Sequence, residues 1–196
     1  MLDNLDSSFV PPKVISVPFC GVGCVLLSQP SDASHFFIKA AIFVYQCSEK
    51  EGVKGVILER PTAFNMGETS PGIGLFEGNT LYMGGDDGTD TAIMLGKYNL
   101  GGSCKYVGSG IYLGGITQAK EKIMKGDAVP KDFKFFFNNV EWKAGLLEKE
   151  IASGRWDVVK ICPDDVLLQK SEAKLWSRTR NTLITEGVLL KPPIDD

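Results

Sequence analysis

The chain has 196 residues, 43% hydrophobic and 23% charged, an ordinary globular composition. With 21 basic against 24 acidic residues the formal net charge is -3, which speaks against the basic footprint of a nucleic-acid binder. No run approaches the ~18 consecutive apolar residues of a membrane-spanning helix, and a chain this long buries roughly 70% of its unfolded surface without needing a metal or disulfide staple.

In chain order, residues 1–18 read as an irregular lead-in, because Pro11, Pro12 and Pro18 interrupt regular structure. Residues 22–29 form a short apolar run closed by Pro30, a buried strand. Residues 31–34 have the composition of a helix cap or turn. A β-branched and aromatic strand follows at 40–45, a polar turn ends at Gly52, and a third strand spans 53–58, close enough to the second for a hairpin. Residues 62–79 hold Gly67, Pro71, Gly72, Gly74 and Gly78 and read as a loop.

Short strands are expected at 80–83 and 92–95, an irregular stretch over 105–113 with a strand ending at Gly114, and a helix over 117–125 stopped by Gly126. Residues 133–137 form an aromatic strand, 138–143 a turn, and 143–153 a helix that buries Leu147 and Ile151 and stops at Gly154. A last strand at 156–161 precedes a terminal helix over 166–183, with a break near Ser171 and with Leu168, Leu175 and Leu183 on one side; 184–196 reads as a tail. Strands predominate with helices between them. The fold class is therefore α/β, bordering on α+β: one domain over 19–183, a mixed β-sheet packed with helices.

The residues that carry chemistry are few. The five cysteines (Cys20, Cys24, Cys47, Cys104 and Cys162) are odd in number and irregular in spacing. Cys20 and Cys24 are the one close pair, with no second pair to complete a zinc site, so reduced cysteines in an intracellular compartment are the reading. The first twelve residues resemble neither a signal peptide nor an arginine-rich transit peptide, which leaves import after removal of a presequence open. His35 is the only histidine, and it stands beside Phe36 and Phe37, the setting of a structural side chain; no serine, histidine and aspartate constellation suggests itself.

Gly84-Gly85-Asp86-Asp87-Gly88 lacks both P-loop and EF-hand spacing and reads as a tight turn, so no cofactor or metal is expected. Glu59 and Arg60 place a charged pair at a strand end, and Arg60 is expected to form an internal ion pair that pins the following loop, with a bound anion as the alternative. Glycines flanking residues 111–113 permit close approach of a ligand or of another strand. Trp156 enters a strand and reads as core, whereas Trp142 sits in the expected turn beside Glu141 and Lys143, where it could serve as core or as a docking anchor.

An ordered series of short motifs resembles the AlgH family, also called UPF0301 or DUF179. The series runs through Gly23-Cys-Val-Leu-Leu-Ser-Gln-Pro30, Ala41-Ile-Phe-Val44, Gly52-Val-Lys-Gly-Val-Ile-Leu-Glu-Arg-Pro61, Leu81-Tyr-Met-Gly-Gly85, Ile111-Tyr-Leu-Gly-Gly115, Phe135 to Trp142, and Leu147-Glu-Lys-Glu-Ile-Ala-Ser-Gly-Arg-Trp156. The resemblance implies a compact α/β domain. It carries over no catalytic residue, and its bacterial namesake is described as a candidate transcriptional regulator. The chain departs from the family pattern at Glu59, where asparagine is usual, at Asp86-Asp87, where proline and valine are usual, and across residues 138–146, where a glycine-rich run is usual. Divergence of this kind fits an organellar relative, in the chloroplast stroma rather than the cytoplasm.

Three functions are compatible with these residues. The first is a non-enzymatic protein that binds a protein partner, as a subunit or assembly factor of a larger complex, membrane-associated complexes included; its docking residues would be Asn138, Asn139, Glu141, Trp142 and Lys143. The second is a small-molecule or nucleotide-binding domain whose site gathers Arg60, Gly84, Gly85, Tyr112, Gly114 and Gly115 at strand ends. The third is transcriptional control, which the acidic balance disfavours.

Overall fold

A computed structural model describes residues 14–31, 36–169 and 174–189. The chain runs β1 (Ile15–Ser16), β2 (Val25–Ser28), β3 (Ala41–Ser48), β4 (Gly52–Ile57), β5 (Pro61–Asn65), α1 (Met66–Thr69), a 3-10 turn at Gly74–Phe76, β6 (Thr80–Met83) and β7 (Asp87–Gly96). A second 3-10 turn leads into β8 (Cys104–Tyr106), then β9 (Tyr112–Gly114), α2 (Ile116–Met124), a third 3-10 turn, β10 (Phe133–Trp142), α3 (Leu146–Ala152), β11 (Trp156–Lys160), α4 (Pro163–Val166) and α5 (Leu175–Thr185).

The strands form two half-sheets that share β10. One half has the order β1-β11-β2-β3-β4-β10, and the other joins β5 and β6 to β10 and continues through β7, β9 and β8. Pairing is antiparallel except between β6 and β10, so the sheet is mixed. One core lies on the face where the two halves turn toward each other: Leu27, Phe43 and Val56 of the first half meet Tyr82, Leu95 and Phe136 of the second, under Trp176 and Leu183 of α5. A second core covers the far face of the first half, with Leu147 of α3 over Ile42, Val140 and Trp156. A third covers the far face of the second half, with Phe76 and Ala119 over Leu81, Phe133 and Phe135. Among the described residues β10 is the one element that feeds all three cores.

A bulge makes this possible. Through Phe137 the strand pairs with β6 on one side and β7 on the other. Asn138 interrupts the β7 ladder at φ 61°, and from Val140 to Trp142 the strand pairs with β4 instead. Side chains alternate faces along a strand, so one extra residue inverts every assignment after it. Without Asn138, Val140 and Trp142 would share the face of Phe136; with it, they enter the core beneath α3.

Several expectations change at this level. The expected turn at 138–143 is strand as far as Trp142. The expected loop at 62–79 contains β5 and α1, and Asn65 starts α1 through a capping box: Asn65 Oδ1 accepts the Glu68 N–H at 3.0 Å while Glu68 Oε2 accepts the Asn65 N–H at 2.8 Å. Within the expected lead-in, Ile15 and Ser16 pair with β11. The terminal helix is two pieces, α4 begun by Pro163 at its first turn and α5 extending to Thr185. The break expected near Ser171, the turn residues 32–34 and His35 lie outside the described residues.

Candidate functional site

The two predicted clusters are redistributed by the bulge. Arg60 does not pair with Glu59. Its guanidinium donates to the Ile38 carbonyl at 2.9 Å, while the Glu59 carboxylate accepts the backbone N–H groups of Leu175 and Trp176 and so caps α5 from outside the helix. Gly84 and Gly85 lie against β10 rather than beside an open cleft. A Cβ on Gly84 would stand 2.3 Å from the Asn138 carbonyl oxygen, and one on Gly85 would stand 1.9 Å from the Asn139 carbonyl carbon. These glycines are required for strand contact. Tyr112 lies toward the opposite end of the half-sheet, facing Gly96, which faces Phe133, and Gly114 pairs with Cys104 of the edge strand β8, with β7 and β9 between that edge and β10. Five residues of β10, about 17 Å at ~3.3 Å per residue, separate the level of Phe133 from Asn138. The structure therefore does not assemble Arg60, Gly84, Gly85, Tyr112, Gly114 and Gly115 into one site.

The proposed docking residues are also divided. Trp142 is 4% exposed and is core. Its indole N–H donates to Glu150 Oε2 at 3.0 Å, and the Trp156 indole N–H donates to the same oxygen at 2.7 Å. The two rings meet edge to face with centroids 5.9 Å apart. Asn139 is buried, with its amide donating to Glu141 Oε1 at 3.0 Å. Glu141 and Lys54, opposite each other on β10 and β4, form an ion pair of 2.7 Å, and Lys143 is exposed. The Asn139 amide and then Lys54 hold the Glu141 carboxyl below its usual range. A protruding aromatic anchor, the basis for expecting a protein-docking turn here, is absent from this stretch.

Two concavities flank the bulge on opposite faces of the second half-sheet. The first exists because β5 bows away from β6. The strands pair only at Pro61 with Tyr82 and at Asn65 with Thr80, so three residues of β5 stand against one of β6. Thr62 Oγ1 donates to the Leu81 carbonyl at 2.7 Å and accepts the Phe64 N–H at 3.1 Å, replacing the missing ladder. Beneath the bowed strand is a cavity of about 440 Å³. Its floor is Leu81 and Met83 of β6, Ala92 of β7 and Phe137 of β10; its walls are Thr62, Phe64, Thr69 and Ser70. None of these side chains is ionisable. Phe64 is 56% exposed and stands at the mouth.

The second concavity is polar and holds about 260 Å³. Asn138, Asn139 and Glu141 of β10 face Tyr45 of β3 and Lys54 of β4 across it, with Gly88, Ile93 and Leu113 completing the wall. Reading the sequence missed Thr62, Phe64, Met83 and Ala92 in the first cavity and Tyr45 and Lys54 in the second. The capping box at Asn65 was the available sign that the stretch after Arg60 is built rather than loose.

The cysteines offer little chemistry. Burial, and then the neighbouring Cys24, Cys47 and Glu148, push the Cys20 thiol up to about 12, disfavouring the thiolate that metal binding and redox exchange need. Among the described residues no group of three or more histidine, cysteine or carboxylate side chains could hold a metal ion, and no helix is long and apolar enough to cross a membrane.

Comparison with known proteins gives a consistent relationship. The model of the AlgH-like family (DUF179) matches residues 25–186. A UPF0301 protein of Thermobifida fusca is 28% identical over 169 residues, covering 80% of this chain and 83% of the relative. One from Bacteroides fragilis is 26% identical over 139 residues, 70% of each chain. Among solved structures, a Corynebacterium diphtheriae protein superposes with a TM-score of 0.70 at 22% identity, covering 83% of this chain and 87% of that one. The solution structure of the AlgH protein from Pseudomonas aeruginosa gives 0.63 at 21% identity, over 86% and 89%. At these identities the two structures establish a shared fold.

Proposed function

The chain belongs to the AlgH-like family, and from that premise and the cavity under β5 we propose that it is a non-enzymatic binding protein for a small apolar molecule. The observation that carries this reading is the pairing defect between β5 and β6. A regular strand there would cover the sheet face with Phe64 and leave no room. Instead two extra residues are spent, Thr62 repairs the hydrogen bonds, and a cavity within the ~300–1,000 Å³ range of small-molecule sites results. Its apolar floor and hydroxyl-bearing walls suit a compact ring or short acyl group with one polar end. The lining has no acid, base or nucleophile stronger than a hydroxyl, which favours retention over turnover.

A thermal-shift screen of aromatic and short-chain acyl compounds tests the reading. A ligand at 100 times its Kd stabilises by about 2.7 kcal/mol, on the order of 5–10 °C for a protein of this size. Ala92→Phe fills the floor from an exposed position and should abolish the shift while leaving the unliganded transition in place. Absence of any hit, or hits of equal size in Ala92→Phe, would remove the cavity from consideration.

A further inference from the structure

From the polar cleft on the other face of the half-sheet we infer that the chain has a second binding site, for an uncharged ligand bearing a primary carboxamide, built by two adjacent β-bulges. Val44 pairs with Gly55 and Gln46 with Lys54, so Tyr45 is the extra residue of β3. At Asn138 the ladder between β10 and β7 breaks: Phe137 pairs with Ala92 but Asn139 with Asp87, so four residues of β7 stand against this one. The strand between them, β4, brings Lys54, and all three side chains line the same cleft. Bulges re-aim side chains, and here two of them direct a phenol and an amide into one concavity.

Asn138 has two features that a purely structural bulge does not require. Its backbone is left-handed, a conformation that glycine adopts without cost and asparagine only with some strain. Its Oδ1 is buried with no hydrogen-bond partner. A buried acceptor without a donor is expensive, and such groups in folded proteins call for an explanation. Gly88 packs closely against this side chain: its φ is 144°, and a Cβ there would stand 2.8 Å from Asn138 Oδ1.

The charges select the ligand. Lys54 and Glu141 already neutralise each other, so a charged ligand would have to break that pair. What the cleft lacks is a donor for Asn138 Oδ1. Lys54 Nζ, with one of its three protons committed to Glu141, retains donors for an acceptor. A carboxamide supplies both from one planar group, N–H toward Asn138 and C=O toward Lys54. Ile93 and Leu113 then offer apolar surface for the remainder of a small ligand.

Nicotinamide is a suitable probe, with nicotinate as the charged control. Titrated into the isotopically labelled full chain, nicotinamide should shift the backbone amide signals of Gly88, Asn138, Asn139 and Glu141 saturably, with a Kd of about 1 mM for so small a probe. Nicotinate should bind at least roughly tenfold more weakly, having no amide proton for Asn138. Asn138→Gly suits the left-handed backbone and should lose at least about tenfold in affinity with its fold intact. Lys54→Met, an independent variant on another strand, should weaken binding as well. Shifts that never saturate, equal responses to the two probes, or binding unchanged in Asn138→Gly and Lys54→Met would each overturn the site. Shifts confined to Met83 and Ala92 would place the probe in the apolar cavity; that result also defeats the second site, and it leaves the reading of the first intact.

Discussion

Lys134 supplies the sharpest stability prediction. It is 2% exposed, on the inward face of β10 beside Phe136. Its Nζ donates to the Leu168 carbonyl at 2.7 Å and lies over the Tyr82 ring, 4.3 Å from the centroid. The titratable groups beside it are Glu59 and Tyr82. Burial pulls the ammonium down from 10.5 to about 7, with the Glu59 carboxylate opposing the change. The sign follows from which state holds the proton more tightly. Between about pH 7 and 10.5 the unfolded chain is protonated at Lys134 and the folded chain is not, so stability rises with pH through that window. Below about pH 7 the full penalty is present. At about 1.4 kcal/mol per pH unit it amounts to roughly 5 kcal/mol.

Lys134→Met keeps most of the buried volume and removes the charge. It also removes the donor to Leu168, a loss of about 1–3 kcal/mol for a carbonyl left unpaired. The variant should therefore be more stable than the parent by about 2–4 kcal/mol near pH 6.5, and this advantage should vanish by about pH 9.5. Urea unfolding followed by far-UV circular dichroism at several pH values reads the difference directly. Other groups that titrate in the window, among them the cysteine thiols raised by burial, cancel between variant and parent. A variant that is less stable by the same amount at every pH would refute the reasoning and show that Lys134 stays charged as a favourable clasp on the segment after α4.

Three further predictions concern β10 and its neighbours. Glu150→Ala strands the indole N–H groups of Trp142 and Trp156, which should cost about 2–6 kcal/mol and shift tryptophan emission, whereas Glu150→Gln retains an acceptor and should cost about 1 kcal/mol; urea midpoints separate the two. Gly85→Ala drives a methyl into the Asn139 backbone and should cost about 3 kcal/mol or more by thermal unfolding, with wild-type stability refuting the close contact. Asn138→Gly relieves a left-handed residue and should be neutral or stabilising by up to about 1 kcal/mol, whereas deleting Asn138 turns Val140 and Trp142 out of their core and should abolish cooperative unfolding; equal behaviour of the two would mean that the bulge does not set the register.

The elements that sequence revealed are those whose pattern is local. The β-branched runs of β3 and β4, the glycine stops after α2 and α3, and the aromatic start of β10 each carry their own evidence within a few residues. What stayed hidden depends on partners far along the chain. Asn138-Asn139 has turn composition, and only β4, more than eighty residues earlier, keeps it extended by pairing with Val140 to Trp142. Lys134 alternates with Phe133 and Phe135 as a solvent-facing residue should. It is buried because Val166, Leu167 and α5 close over that face. Trp142 was ambiguous because it fell in the same apparent turn: its acceptor Glu150 is only eight residues on, but pairing with Val53 of β4 is what keeps Trp142 in the strand. The neighbouring Glu59 offers Arg60 no ion pair because it serves the start of α5, over a hundred residues away.

The bulge also explains why the candidate sites lie back to back. Phe137 is the last residue of β10 in register with both β6 and β7, and its side chain floors the apolar cavity. Asn138 is the residue at which the strand leaves that register, and its side chain lines the polar cleft on the reverse face. A strand shared by two half-sheets must change neighbours somewhere, and around that point the ladder is incomplete. Backbone groups near the exchange are satisfied by close approach, which is why Gly84 and Gly85 can carry no side chain there. Space opens on both faces where regular pairing would have filled it. The glycines that read as a tight turn and the asparagines that read as a docking turn are thus two sides of one structural event, and the surfaces suited to binding are those on either side of it.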